Sequence, residues 1–273
     1  IFNPANYNID INVGDNSCYP ECDVDITASP TGAPTATASP TASPSPLCNS
    51  IIEADTTLSE DVRCNCDTVS SPLITLQAVG MTLDMNGYTV KCMDSSTTKA
   101  EACITIAYKW ITVKNGAVAN CDLGIAMEST WGGNTVDNVV VTHSTVGIHV
   151  FSRDNVVMMS IIDAEEVGIK IGNNGAHIEG NIVNSTGHGV ELVEHLTPGT
   201  GRTTVITFVD IIDNTIHHEG KCIFNPANYN IDINVGDNSC YPECDVDITA
   251  SPTGAPTATA SPTASPSPLC NSI

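Results

Sequence analysis

Between residues 102 and 224 the chain repeats one small device, a small residue placed just before a branched aliphatic. The pairs are Cys103-Ile104, Gly124-Ile125, Gly147-Ile148, Gly168-Ile169, Gly189-Val190 and Cys222-Ile223. In the first five, another apolar side chain follows two positions later, at Ile106, Met127, Val150, Ile171 and Leu192. Alternation of this kind marks a short strand with one face turned inward. The anchors recur at nearly even intervals, with one longer gap between Val190 and Ile223, so equivalent strands stack. Residues 139–141, 156–158 and 211–216 fit the same phase as further strands. No helix-length stripe with a period of about 3.6 residues competes with them. The pattern predicts an all-β solenoid, in which the longest coil carries a turn-rich excursion at 196–204 (LTPGTGRTT) and 223–235 forms the last rung.

A second, longer period lies over the first. The segment 1–51 recurs without a change as 223–273, an offset of 222. Low-complexity sequence tolerates substitution, so identity through such a stretch is not a demand of folding. It reads as one full period followed by the start of the next, cut from a longer head-to-tail array. On that reading 1–25 is the last coil and cap of a preceding repeat, 26–47 a linker, 48–247 the solenoid domain and 248–273 a copy of the linker. Residues 27–46 read TASPTGAPTATASPTASPSP, with five prolines and no large side chain. Such a segment builds no core and favours an extended polyproline II path. At about 3.1 Å per residue it reaches on the order of 60 Å.

Composition narrows the function. The chain holds 31 acidic and 9 basic residues, a formal charge of −22, and one period carries 17 net negative charges. Phosphate-backbone binding needs clustered cations, and no apolar run is long enough to span a bilayer, so neither nucleic acid nor a membrane span is an expected partner. Twelve cysteines point to an oxidising, extracellular setting. Nine belong to one period: Cys18, Cys22, Cys48, Cys64, Cys66, Cys92, Cys103, Cys121 and Cys222; Cys240, Cys244 and Cys270 are copies. An odd number leaves one free or linked to another repeat or chain. Cys18-x3-Cys22 and Cys64-x-Cys66 lack a histidine at zinc-finger spacing, so disulfides are preferred to zinc.

The linker composition also reads as an O-glycosylated stalk, similar to hydroxyproline-rich wall and flagellar-surface proteins. Its candidate positions are Thr27, Ser29, Pro30, Thr31, Pro34, Thr35, Thr37, Ser39, Pro40, Thr41, Ser43, Pro44, Ser45 and Pro46. Asn184-Ser185-Thr186 is the one N-glycosylation sequon, with Asn184 as acceptor.

The run Thr82-Leu83-Asp84-Met85-Asn86-Gly87-Tyr88-Thr89-Val90 resembles the opening coil of right-handed parallel β-helix, or pectin-lyase-like, proteins, and the Gly-Ile-x-Ile runs resemble their later coils. The resemblance covers about residues 73–235 and implies a right-handed parallel β-helix of about seven to eight coils. Stacking at about 4.8 Å would bring Cys92 and Cys121, in comparable places on successive coils, to disulfide distance. Asn138, Asn155 and Asn181 fit either inward amide ladders between rungs or solvated turns.

Many members of that superfamily act on acidic polysaccharides. Gly187-His188-Gly189 looks like the Gly-His-Gly of polygalacturonases, but the chain has no Asn-Thr-Asp element and no adjacent Asp pair for acid and base roles. The basic residues Arg63, Lys91, Lys99, Lys109, Lys114, Arg153, Lys170, Arg202 and Lys221 are scattered, and Glu165-Glu166 and His217-His218 read as solvated turns. Trp110 and Trp131 are the only tryptophans, and no basic cluster accompanies them. The expectation is therefore no catalytic site, metal site or cofactor, beyond diffuse calcium binding to an acidic surface. The function expected is a structural subunit of an extracellular glycosylated filament, self-associating end to end. A secreted carbohydrate-binding or polysaccharide-modifying protein is the alternative.

Overall fold

The computed structural model describes residues 45–68, 71–94, 96–193, 195–197, 202–204, 206, 208–226, 232–242, 246–247 and 269–270. These all lie in the compact unit Ser43–Ile273. They contain no helix; 22 strands form one sheet and two more a separate hairpin. The pairings of the large sheet are parallel, except that of Asn238–Tyr241 with Leu269–Cys270.

The parallel pairs fall into three ladders, which the chain visits in turn. The first aligns the predicted anchors, with Ile104, Ile125, Ile148, Ile169, Val190 and Ile223 in register. The second stacks Leu83, Val113, Val136, Val157, Ile178, Ile211 and Val235. The third stacks Val62, Val90, Val118, Val141, Ile162, Val183 and Ile216. All these side chains are buried, so the three columns face one another and form a single core. Because the side-chain period is two, a one-residue slip would expose a whole column, and the apolar pattern therefore fixes the register.

The glycines before Ile125, Ile148, Ile169 and Val190 have a steric reason. A Cβ on Gly168 would fall against Val183 Cγ1 and 2.6 Å from the Gly189 carbonyl oxygen, so successive circuits approach too closely for a side chain. The corner between the second and third ladders is made by a column with positive φ: Asn86, Asn115, Asn138, Met159, Gly180 and Asp213. Asparagine enters this region most readily among side-chain-bearing residues. The 211–216 segment accordingly breaks into two strands, Phe208–Ile212 and Thr215–His218, with Asp213 (φ 56°) turning the corner. The turn-rich excursion forms an antiparallel hairpin, His195–Thr197 with Arg202–Thr204.

Amide columns line two corners, with a different membership from that read in the sequence. Asn134 pairs with Asn155 at one, while Ser160, Asn181, Asn214 and Asn238 align at another, each side-chain oxygen of an asparagine accepting a backbone N–H from the circuit before. Asn138 is not among them. It lies outside and donates to Asn115 Oδ1, because its positive φ turns the side chain away from the core.

Four disulfides are present among the described residues: Cys48–Cys64, Cys66–Cys92, Cys103–Cys121 and Cys222–Cys240. The expected Cys92–Cys121 pair does not form. Cys92 ends a strand of the third ladder and Cys121 begins one of the first, so the two do not stack; Cys92 bonds to Cys66 instead, and Cys121 to Cys103 on the neighbouring strand of its own ladder. Cys18, Cys22 and Cys244 lie outside the described residues, and Cys270 is placed only in the backbone pairing of Leu269–Cys270.

Candidate functional site: a tryptophan groove at one corner

The corner between the first and second ladders is built from a column of left-handed residues: Gly80, Trp110, Gly133, Asp154 and Gly175. Each of the first four donates its backbone N–H to the carbonyl preceding the next member, from Gly80 to Lys109, Trp110 to Gly132, Gly133 to Arg153 and Asp154 to Asn174. Glycine and aspartate suit this conformation, but a bulky ring at φ 57° is strained. Such residues cost on the order of 1–3 kcal/mol and gather at functional sites.

The column brings together side chains that are far apart in sequence. Trp110 and Trp131 are 59% and 58% exposed. Lys109 Nζ lies 4.4 Å from the Trp110 ring centre and 5.1 Å from that of Trp131, a double cation–π contact. Arg153 and Asp154 from the next circuit complete a concavity of about 300 Å³ with Thr130, Gly132 and Gly133. The glycines are required. A Cβ on Gly133 would come within 2.9 Å of Trp110 Nε1, and one on Gly132 would strike the Arg153 carbonyl. The sequence reading missed this cluster because its members, Trp110, Trp131 and Arg153, are each one circuit apart along the chain. That interval matches the spacing of the aliphatic anchors and was the available signal.

The other polar candidates have local partners. His188 Nδ1 accepts the Lys221 backbone N–H at 3.0 Å, its ring stacks on Phe224, and burial pushes its imidazole below the ordinary value. His217 and His218 sit in the strand Thr215–His218 rather than a turn; His217 stacks on Tyr241 and His218 is buried. Glu165 and Glu166 likewise lie in the strand Ile161–Ile171, and Glu165 pairs with Lys99 at 2.6 Å. On the second ladder His177 bridges two carboxylates, at 2.9 Å to Glu179 and 3.5 Å to Asp210, and the Glu179 hydrogen bond raises its imidazole above the ordinary value.

Asn184 is half-buried in the strand Ile182–Ser185, between Asp163 and His217 on neighbouring strands. Of the stalk positions, Ser45 and Pro46 are described. Ser45 donates its N–H to the Arg63 carbonyl at 3.0 Å and is joined to the folded body. Thr27, Ser29, Pro30, Thr31, Pro34, Thr35, Thr37, Ser39, Pro40, Thr41, Ser43 and Pro44 lie outside the described residues.

No protein family, characterised protein or solved structure matches the chain. Among the described residues no group of three or more His, Cys, Asp or Glu is arranged to hold a metal, and no helix is long and apolar enough to cross a membrane.

Proposed function

We propose that this chain is a segment of a structural filament protein, an extracellular array of 222-residue repeats that stack end to end. The observation that carries the reading is the Cys222–Cys240 disulfide. Cys240 is the copy of Cys18 one period on, so this bond ties the repeated segment to the coil before it inside one solenoid domain, as the reading of 1–25 as the close of a preceding unit supposes. With Cys48–Cys64, Cys66–Cys92 and Cys103–Cys121 it accounts for eight of the nine cysteines in a period. The ninth is Cys22, with its copy Cys244, and it is the candidate for a covalent link between units. Four disulfides belong to an oxidising environment, which supports an extracellular location.

In this reading the three ladders form a right-handed parallel β-helix of about eight coils, of the pectin-lyase-like kind, roughly 38 Å tall at about 4.8 Å per coil. Among the described residues the first circuit, Ser50–Ile52, Thr56–Thr57 and Val62–Cys64, has a parallel partner on one side only. Such an edge recruits further strands unless it is capped. Tandem copies raise the effective concentration of the next end. The Pro/Ser/Thr segment spaces the units and carries glycans on its hydroxyl and proline positions. Charge of one sign limits lateral bundling, and diffusely bound calcium screens it along the axis.

Electron microscopy of the native material tests the proposal, with a uniform filament whose axial repeat accounts for one 222-residue unit as the expected result. Dispersed particles with no axial repeat would overturn it. Mass spectrometry of non-reduced peptides tests the stalk glycans and the ninth cysteine.

A further inference from the structure

We infer that the Trp110–Trp131 groove is a docking site for a proline-rich polyproline II segment, and that its occupant is the 249–268 segment of a second copy of this chain. It rests on the filament reading for the supply of that second copy, and the prolines that face the groove are the ones that carry no glycan.

Three features of the groove call for a ligand. The chain's only two tryptophans stand exposed side by side, one in strained backbone, at a corner where the neighbouring column positions are Gly80, Gly133, Asp154 and Gly175. A core or a plain turn gives no reason for that placement. Among the described residues Arg63, Lys91, Lys99, Lys114 and Lys170 are in ion pairs, whereas Lys109 and Arg153 are in none. Two donors without acidic partners in a chain of charge −22, Lys109 over the tryptophan rings and Arg153 in the wall of the same groove, therefore remain available to acceptors on a ligand.

A polyproline II strand meets these features together. Its rigid rings pack on aromatic faces at little cost in entropy, and its backbone carbonyls make no internal hydrogen bonds. They can thus accept from Lys109, Arg153 and the indole N–H groups. The spacing also agrees. Lys109 Nζ lies 4.4 Å from one ring centre and 5.1 Å from the other, so the separation of the two centres cannot exceed the sum of those distances. Residues two or three apart along polyproline II are separated by roughly 6.2 or 9.3 Å, both within that limit, so one strand can contact both rings.

Charge selects among segments of the chain. Residues 249–268 contain no ionisable group, so they can approach a surface of net negative charge that includes Asp154 in the groove wall. The acidic sequence 223–247, with five carboxylates and no cation, would be repelled. Within an array, this contact would fasten the stalk of one unit to the flank of another, alongside the end-to-end stacking.

The chain reports on the groove directly, because Trp110 and Trp131 are its only tryptophans. A synthetic peptide TASPTGAPTATASPTASPSP is titrated into the dilute full chain while tryptophan emission and acrylamide quenching are followed. The expected result is a saturable blue shift with quenching reduced about twofold, one face of each ring being covered. A peptide with every proline replaced by alanine should give no response, and Trp131→Ala, checked for unchanged circular dichroism, should weaken binding of the native peptide at least severalfold. The same protection should develop as the concentration of the chain itself rises. No response to the proline peptide, an equal response to the proline-free peptide, or saturation by an acidic oligosaccharide at lower concentration would each overturn the assignment. A filament seen by microscopy with a silent peptide would defeat this inference alone, and a bound peptide without filaments would defeat only the filament proposal.

Discussion

Asn181 donates its backbone N–H to the side-chain oxygen of Asn214, one circuit further on, at 2.9 Å. Asn214 repeats the arrangement with Asn238, and its amide nitrogen donates to the carbonyls of Ile178 and Ile212. A buried corner, where the ladder is interrupted, is in this way supplied with the donors and acceptors it would otherwise lack. Replacing Asn214 with alanine strands the Asn181 N–H and the Ile178 carbonyl in a site closed to water. The expected loss is roughly 3 kcal/mol, read as a shift in the urea midpoint. A loss within the scatter of surface substitutions would show that water fills the corner.

Gly168→Ala tests the close approach of circuits on the first ladder. The new methyl would meet Val183, a member of a core column, and the carbonyl oxygen of Gly189, the residue before the anchor Val190. Overpacking of this kind costs about 1–3 kcal/mol. Gly80→Ala meets nothing within 4 Å and serves as the comparison for strain without crowding, since its φ is +70°. Gly168→Ala should be the more harmful; the reverse order would mean that backbone conformation, not space, selects these glycines.

His177 gives a pH dependence with a defined sign. Its imidazole is raised above the ordinary 6.5 by the hydrogen bond to Glu179 and the contact with Asp210, so the folded state holds the proton more tightly than the unfolded chain. The stabilisation is complete below pH 6.5 and is lost as pH rises through the higher folded value. Unfolding midpoints measured from about pH 6 upward should fall more for the native chain than for His177→Gln. Parallel curves would show that the bridge contributes nothing.

The disulfide pattern can be checked by alkylation. Cys92→Ala should expose Cys66 to a thiol reagent and leave Cys121 protected, since Cys121 pairs with Cys103. Removing both Cys103 and Cys121 opens a loop whose cysteines are separated by 18 in sequence. About 3 kcal/mol of stability should go with it. Labelling of Cys121 in Cys92→Ala would restore the pairing that the stacking argument alone suggests.

The first ladder was legible in the sequence almost residue by residue. Ile104, Ile125, Ile148, Ile169, Val190 and Ile223 stand in the predicted register. Strand periodicity is a local signal, and a period of about one circuit multiplies it. Corners were less legible, because an asparagine reads the same whether it faces in, as Asn181 does, or out, as Asn138 does. Its direction depends on the sign of one φ angle. The cysteine partners were hidden for a related reason: Cys64 and Cys92 are neighbours on the third ladder, yet each bonds across a corner to a residue of another segment.

The sequence by itself determined the all-β class, the first ladder with its inward faces, the long period and the composition of the linker, all properties of residue order. The tertiary structure alone decided what one circuit brings together. Lys109, Trp110, Trp131 and Arg153 form a groove because a chain that returns to its own flank after each circuit turns sequence distance into adjacency. Which cysteine closes which corner was settled in the same way, since the direction of a Cβ is fixed only when the backbone has turned.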